Sequence, residues 1–149
     1  MLKARIDQDL KQALLAGNKT LATTLRGLKS VILYAEVAEG KRDSGLPDDE
    51  IITLFAKEAK KRQESADLYV QGGSQDRADA ELEEKKAIEA YLPQQLSDDE
   101  LKKIVDEAVT AMGATTPAGM GQVIGKVKQQ VGAAASGARI AAAVKERLA

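Results

Sequence analysis

The 149-residue chain contains no histidine, no cysteine and no tryptophan, and aromatic residues make up only 3% of it. The commonest general base near neutral pH, the commonest thiol nucleophile and the commonest soft metal ligands are therefore all missing. A disulfide framework is excluded as well. We predict no cofactor and no metal site, and we expect that the chain alone does not catalyse a reaction.

Long apolar runs are also absent. No stretch approaches the ~20 apolar residues of a membrane span. Residues 1–5 lead directly into an amphipathic helix rather than into the apolar segment of a signal peptide. We expect a cytoplasmic protein that does not associate with membranes, although a chain without cysteine would fit the periplasm equally well.

Hydrophobic residues make up 44% of the chain, which is enough to supply a core. Alanine, leucine, glutamate and lysine dominate the composition, and all four favour helices. The few aromatic rings could not fill the interior of a sheet sandwich. The composition therefore predicts an almost all-α fold.

Charge is balanced overall but unevenly distributed. The chain has 22 basic and 23 acidic residues, a net charge of −1, which does not indicate a general nucleic-acid or DNA binder. Between residues 113 and 149, however, five basic residues stand against one acid, Glu146. These five are Lys126, Lys128, Arg139, Lys145 and Arg147. The end of the chain is therefore its basic part.

Apolar residues recur at helical spacing in four segments of the first part of the chain. The predicted helices end at Gly17-Asn18, near Glu39-Gly40, at Gly72-Gly73 and at Pro93. Pro47 is expected in the first turn of the third helix, and the fourth helix is expected from Gln75 to Leu92.

Three further helices are predicted after Pro93. Ser97 and Glu100 form a capping box for the first of them, Thr116 can cap the second, and Ser136 can cap the third. We therefore predict an N-terminal bundle of about four helices in residues 1–94 and a three-helix domain in residues 95–149.

A charged face on the third helix interrupts its apolar stripe. Glu58, Arg62, Ser65 and Tyr69 are separated by four, three and four residues and therefore lie on one side of the helix. We predict that Glu58 pairs with Arg62 and that Arg62 also reaches an acid on the fourth helix such as Glu84. This ion pair is expected to be structural, and a ligand site is the alternative.

Two acidic clusters and one pair of glycines resemble binding motifs only superficially. The acids at residues 48–50 and 98–100 lack the spacing of a calcium loop and instead suit helix N-termini. Gly119 and Gly121 lack the preceding strand and the Gly-Lys-Ser/Thr sequence of a phosphate loop. Neither motif predicts a metal or a nucleotide.

Basic residues on the third helix are a second candidate surface for RNA. Lys57, Lys60 and Lys61 are close together in sequence, and contacts with phosphates require only such spaced cations. The tyrosines and Phe55 have apolar neighbours at helical spacing that are expected to bury them. Any RNA would therefore be recognised by the shape of its backbone rather than by its bases.

The order of several short blocks resembles the GatB/YqeY family, which includes stand-alone relatives of the tail of the B subunit of glutamine-dependent tRNA amidotransferase. The most specific blocks are Lys61-Arg62-x-Glu64-Ser65 with Tyr69, and Tyr91-Leu92-Pro93-x-Gln95-Leu96-Ser97. Met120-Gly121-x-Val123-Ile124 and Val144-Lys145-x-x-Leu148 follow in the expected order, so that the resemblance covers nearly the whole chain.

This resemblance implies an N-terminal helical bundle followed by a small helical tail, and an association with tRNA. Our leading hypothesis is a non-catalytic helper that contacts tRNA through its basic residues. A protein-interaction module for a tRNA-handling enzyme is the alternative. The resemblance also implies a third possibility, a carbon–nitrogen ligase activity with glutamine as the amide donor.

Overall fold

The computed structural model describes residues 1–113 and 116–149, and in these residues the fold is all-α. The described residues form seven α-helices, four before Pro93 and three after it, as predicted. Their bounds are Leu2–Leu15 (α1), Lys19–Ala38 (α2), Asp48–Gln71 (α3), Gln75–Glu89 (α4), Asp98–Met112 (α5), Met120–Val131 (α6) and Gly137–Leu148 (α7).

The chain divides into two compact units, Met1–Leu92 and Pro93–Ala149. Each unit has its own core, and no buried residue is common to the two cores. The sequence predicts two independent domains that meet between residues 94 and 95, and this division into domains stays a prediction.

The core of the first unit combines α1 and α2 with the N-terminal half of α3 and the end of α4. Ile6, Leu25, Ile51 and Phe55 are completely or almost completely buried in it, and Tyr91 is nearly so. Phe55 and Tyr91 contact each other edge to face, with ring centres 5.9 Å apart. This aromatic pair fixes the end of α4 against α3.

Glu36 anchors the loop between α2 and α3. Its side chain is 2% exposed, receives a hydrogen bond of 3.1 Å from the amide of Leu46 and lies 3.0 Å from the ammonium of Lys3. A buried carboxylate without such partners would be costly, so these contacts hold the loop against α1 and α2.

The predicted end of α4 was wrong. The helix stops at Glu89 rather than at Leu92, because the amides of Tyr91 and Leu92 donate to carbonyls three residues back, those of Ile88 and Glu89. This tighter turn directs the Tyr91 ring into the core. Pro93 therefore follows a turn and does not end the helix directly.

Two further expectations about helix starts need correction. Pro47 precedes the first residue of α3 instead of lying within its first turn. Thr116 makes no side-chain capping bond, and the chain passes through a 3₁₀ turn at Pro117–Gly119 before α6 begins at Met120. The capping box of Ser97 and Glu100 and the Ser136 cap are both present.

The second unit packs α5, α6 and α7 around a small aliphatic core. Its most buried residues are Leu101, Val105, Val123, Val127, Ile140 and Val144. In the described residues, no helix is long and apolar enough to span a bilayer.

Candidate nucleic-acid interface

The lysines of α3 lie on its solvent side, because Ile51, Phe55 and Ala59 occupy the buried side at intervals of four residues. Lys57, Lys60 and Lys61 are all exposed. The Lys61 ammonium donates to Glu58 at 3.1 Å. Among the described residues, neither Lys57 nor Lys60 forms an ion pair, so their charges remain available to a ligand.

Arg62 points away from these lysines and toward α4. Its guanidinium donates to Glu81 at 3.0 Å and to Glu84 at 3.4 Å, and all three side chains are about one-fifth to one-third exposed. Glu58 pairs with Lys61 rather than with Arg62, contrary to the predicted pair within α3. The reason is that Arg62 reaches two carboxylates across the helix interface.

Two of the five predicted cations of the second unit form ion pairs within it. The Arg139 guanidinium donates to the Leu96 carbonyl at 2.7 Å and to Asp98 at 3.0 Å. Arg147 donates to Asp106 at 2.7 Å. Both arginines therefore join α7 to α5 or to the segment that leads into it, and their charges are partly compensated.

Lys126, Lys128 and Lys145 are exposed and form no ion pair within the described part of the chain. The end of the Lys128 side chain lies about 3.4 Å from the position that a Cβ on Gly137 would occupy, so Lys128 lies beside the start of α7. Of the five predicted cations of the second unit, these three therefore remain available.

The acidic residues of α5 reduce the charge of the second unit. Residues 113–149 alone carry a net charge of +4, but residues 93–149 contain seven basic and six acidic side chains, a net charge of +1. Helix α5 contributes five of these acids. This lower net charge could have been predicted from the sequence, because α5 must pack against the basic helices in a three-helix unit.

The expectation that every aromatic residue is buried was wrong for Tyr34. Its side chain is 75% exposed, whereas Phe55 and Tyr91 are buried and Tyr69 is partly buried. Tyr34 lies two residues after the buried Ile32 and hence about 200° around the helix. The angular position of Tyr34 relative to the apolar stripe of α2 was therefore the sequence signal for its exposure.

Perturbed pKa values occur outside the predicted site residues. Burial and a hydrogen bond to Asp9 raise the pKa of Tyr91 well above its usual range. Hydrogen bonds to Glu39 and Glu50 raise the pKa of Lys41. A hydrogen bond from the Leu2 amide lowers the pKa of Asp48. All three groups lie in structural contacts of the first unit.

A shallow groove of about 260 Å³ lies between α1 and α2. The carboxylates that line it face ammonium groups, with Asp7 2.7 Å from Lys29 and Glu36 3.0 Å from Lys3. Within residues 1–113 and 116–149, no group of three or more acidic side chains is placed to hold a metal ion.

Known proteins with similar sequences include three that are named altered inheritance of mitochondria protein 41, mitochondrial. The relative from Eremothecium gossypii is 34% identical over 89 residues, which are 60% of this chain and 48% of that protein. The relative from Kluyveromyces lactis is 30% identical over 128 residues, which are 83% of this chain and 68% of that protein. The word mitochondrial describes those proteins, and a cytoplasmic location stays a prediction for this chain.

The chain spans about half the length of the relatives from Eremothecium gossypii and Vanderwaltozyma polyspora. A family model, that of the YqeY-like proteins, matches residues 3–148 and thus almost the whole chain. This match agrees with the resemblance found in the short sequence blocks. The chain therefore belongs to the YqeY-like family.

Proposed function

We propose that this protein is a non-catalytic helper that associates with tRNA through the RNA backbone. The observation that carries the proposal is a set of exposed lysines that form no ion pairs within the described residues: Lys57 and Lys60 on α3, and Lys126, Lys128 and Lys145 in the second unit. Family membership supports it, because similar domains form the tail of the amidotransferase B subunit.

The ion pairs of the structure indicate which basic residues are most available to an RNA phosphate. Lys61, Arg139 and Arg147 have acidic partners within 3.1 Å, so an RNA phosphate would have to compete with a carboxylate for each of them. The five unpaired lysines offer charge without this competition. Because the total charge is −1, we expect weak binding that depends strongly on salt.

The direct test is the affinity for a folded tRNA transcript as a function of salt concentration. Each contacting lysine that is replaced should reduce the slope of log affinity against log salt by about one unit. Lys57→Gln with Lys60→Gln tests the first unit, and Lys126→Gln with Lys128→Gln and Lys145→Gln tests the second. A double replacement at the exposed Lys11 and Lys19 on α1 and α2 is a control matched in charge to the first pair.

Absence of tRNA binding at low salt would contradict the proposal. Binding that both lysine variants retain with an unchanged slope would contradict the assigned surfaces. The non-catalytic role has its own test, because purified protein incubated with glutamine and charged tRNA should release no glutamate. Glutamine consumption above that of a protein-free control would favour the carbon–nitrogen ligase alternative.

A further inference from the structure

One face of α2 is exposed along most of the helix. Each of its members lies three or four residues from another member, so that together they form one stripe. We call this stripe the α2 face: Thr23, Arg26, Gly27, Ser30, Leu33, Tyr34 and Val37. The opposite side of the helix carries Ala22, Leu25, Leu28 and Ile32, which are all buried in the core.

The second half of the α2 face is apolar and solvent-exposed. Leu33 is 44% exposed, Tyr34 75% and Val37 57%. Single exposed apolar side chains are common on protein surfaces, but three on adjoining turns form a contiguous apolar patch whose hydration is unfavourable. The buried residues opposite them hold α2 in place, so the exposure of this patch is a property of the folded unit.

The first half of the face differs in both size and chemistry. Thr23 and Gly27 are small, and a Cβ built on Gly27 would have no other atom within 4 Å. Arg26 is exposed and forms no ion pair within the described residues. This half therefore offers a shallow surface with one available cation, whereas the other half offers bulky side chains and one aromatic ring.

The two halves fit each other when two copies of α2 lie antiparallel. With a two-fold axis at Ser30, residues that are about equally distant from Ser30 and on the same side of the stripe face each other. Thr23 then faces Val37 of the second copy near the midline of the stripe. Gly27 lies opposite Tyr34, and Arg26 lies opposite Leu33 and beside the ring of Tyr34. Small residues accept large ones, the guanidinium meets an aromatic ring, and no like charges are opposed.

We propose that the α2 face binds the same face of a second copy of this chain, antiparallel and centred on Ser30. The complementarity within one helix favours a second copy over an unrelated partner, because both halves of the contact are present on the same face. A contact limited to one helix face belongs to the small class of interfaces, below ~1,200 Å², so we expect a transient dimer rather than a permanent one.

Sedimentation equilibrium of nuclease-treated protein, from low micromolar to several hundred micromolar, tests the proposal without reference to RNA. The average mass should rise from that of one chain toward that of two. Val37→Glu should weaken dimerisation at least about tenfold, because a carboxylate would be buried opposite Thr23. Leu15→Glu is the matched control, since Leu15 is exposed at the end of α1 and its replacement should leave dimerisation unchanged.

A charge exchange tests the register. Tyr34→Arg should abolish the dimer because two arginines would lie beside each other, and adding Arg26→Glu should restore it by placing a carboxylate beside each arginine. Failure of the second replacement to restore the dimer would overturn the proposed register. A single-chain mass at every concentration would overturn the proposal and leave the face to a different protein.

Cysteine pairing distinguishes antiparallel from parallel helices, and the chain has no native cysteine to interfere. Thr23→Cys mixed with Val37→Cys should form mixed disulfides under mild oxidation, while each variant alone should not. The two positions are 14 residues or about 21 Å apart along the helix, which explains this selectivity. Disulfides in the single variants but not in the mixture would show a parallel contact and contradict the proposal.

Discussion

The Tyr91 side chain, just after the end of α4, contacts both α1 and α3. Its hydroxyl donates to Asp9 at 2.6 Å, and the Arg5 guanidinium lies 4.6 Å from the centre of its ring. Arg5 also donates to the Ala90 carbonyl at 3.2 Å. The turn before Pro93 is thus held on α1 by polar contacts and on α3 by the contact with Phe55.

Replacing Tyr91 by phenylalanine should destabilise the first unit by about 1 kcal/mol at neutral pH, because one partly exposed hydrogen bond to a carboxylate is lost. The folded-state pKa of Tyr91 is raised, so its contribution to stability is present below the unfolded-state value near ~10 and is lost as pH rises above it. The difference in the free energy of unfolding between the wild type and the variant should therefore shrink above about pH 10.

Urea unfolding at neutral and alkaline pH, followed by near-ultraviolet circular dichroism, measures this effect. All three tyrosines lie in the first unit, so the signal reports that unit alone. Tyr34→Phe is the control, because Tyr34 is 75% exposed and its hydroxyl makes no hydrogen bond within the described residues. A difference that does not change with pH would contradict a linked ionisation of Tyr91.

At the residue scale, a spacing of four residues predicts burial incompletely. Each step of four residues turns the helix by 400°, so the side chains drift by 40° per step. Ile6 is buried in α1, but Leu14, two steps later, is 51% exposed and Ala13 is buried in its place. Ile140, Val144 and Leu148 in α7 drift by the same 80° over two steps and are nevertheless all buried, so a spacing of four does not by itself decide burial.

At the scale of elements, the outer part of the α3–α4 hairpin has little apolar core. Between residues 60 and 87, only Ala66 and Ala78 are buried, and neither belongs to the main cluster. Polar contacts supplement them, namely those of Arg62 with two carboxylates and that of Lys85 with Gln63 at 2.8 Å. The outer hairpin should therefore open more readily than the core.

Arg62→Gln should lower the local opening free energy of the outer hairpin by about 1 kcal/mol, because two partly exposed ion pairs are lost. Amide hydrogen exchange should accelerate between residues 62 and 85 but not at Ile51 or Phe55. Glu64→Gln, at an exposed position of the same helix, should change neither region. Loss of tRNA binding in Arg62→Gln with unchanged exchange would indicate a ligand contact and contradict the structural role.

Helix starts give a second prediction at this scale. Ser97→Ala should destabilise α5 by about 1 kcal/mol, because its hydroxyl accepts a hydrogen bond of 3.1 Å from the Glu100 amide. Thr116→Ala should have little effect, since Thr116 makes no side-chain capping bond. Amide exchange in the first turns of α5 and α6 measures both effects, and equal losses would contradict the observed difference in capping.

How well the end of a helix could be predicted depends on whether the residues that determine it are close together in the sequence. Ser97 and Glu100 form a local motif, and its capping box was predictable because both partners lie within one turn. The end of α4 was not predictable in the same way, because Tyr91 leaves the helix to reach Phe55, 36 residues earlier. A local signal therefore set the start of α5, and tertiary contacts set the end of α4.

At the scale of the whole molecule, local charge counts were less reliable than local helix signals. The basic character of residues 113–149 was readable, but the pairing of Arg139 with Asp98 and of Arg147 with Asp106 depends on how α5 and α7 pack. Periodicity predicts that helices pack, but it does not specify which charged residues face each other. The unpaired lysines could therefore be separated from the paired arginines only with the structure.

The two separate cores predict that fragments 1–92 and 93–149 fold independently. Far-ultraviolet circular dichroism of the two fragments should sum to the spectrum of the intact chain, because each fragment retains its own helices and buried residues. The smaller fragment should unfold at the lower temperature, since a chain of about 60 residues buries only about 60% of its accessible surface on folding. A fragment 93–149 without helical signal would contradict the prediction, because it would show that the second core requires the first unit to form.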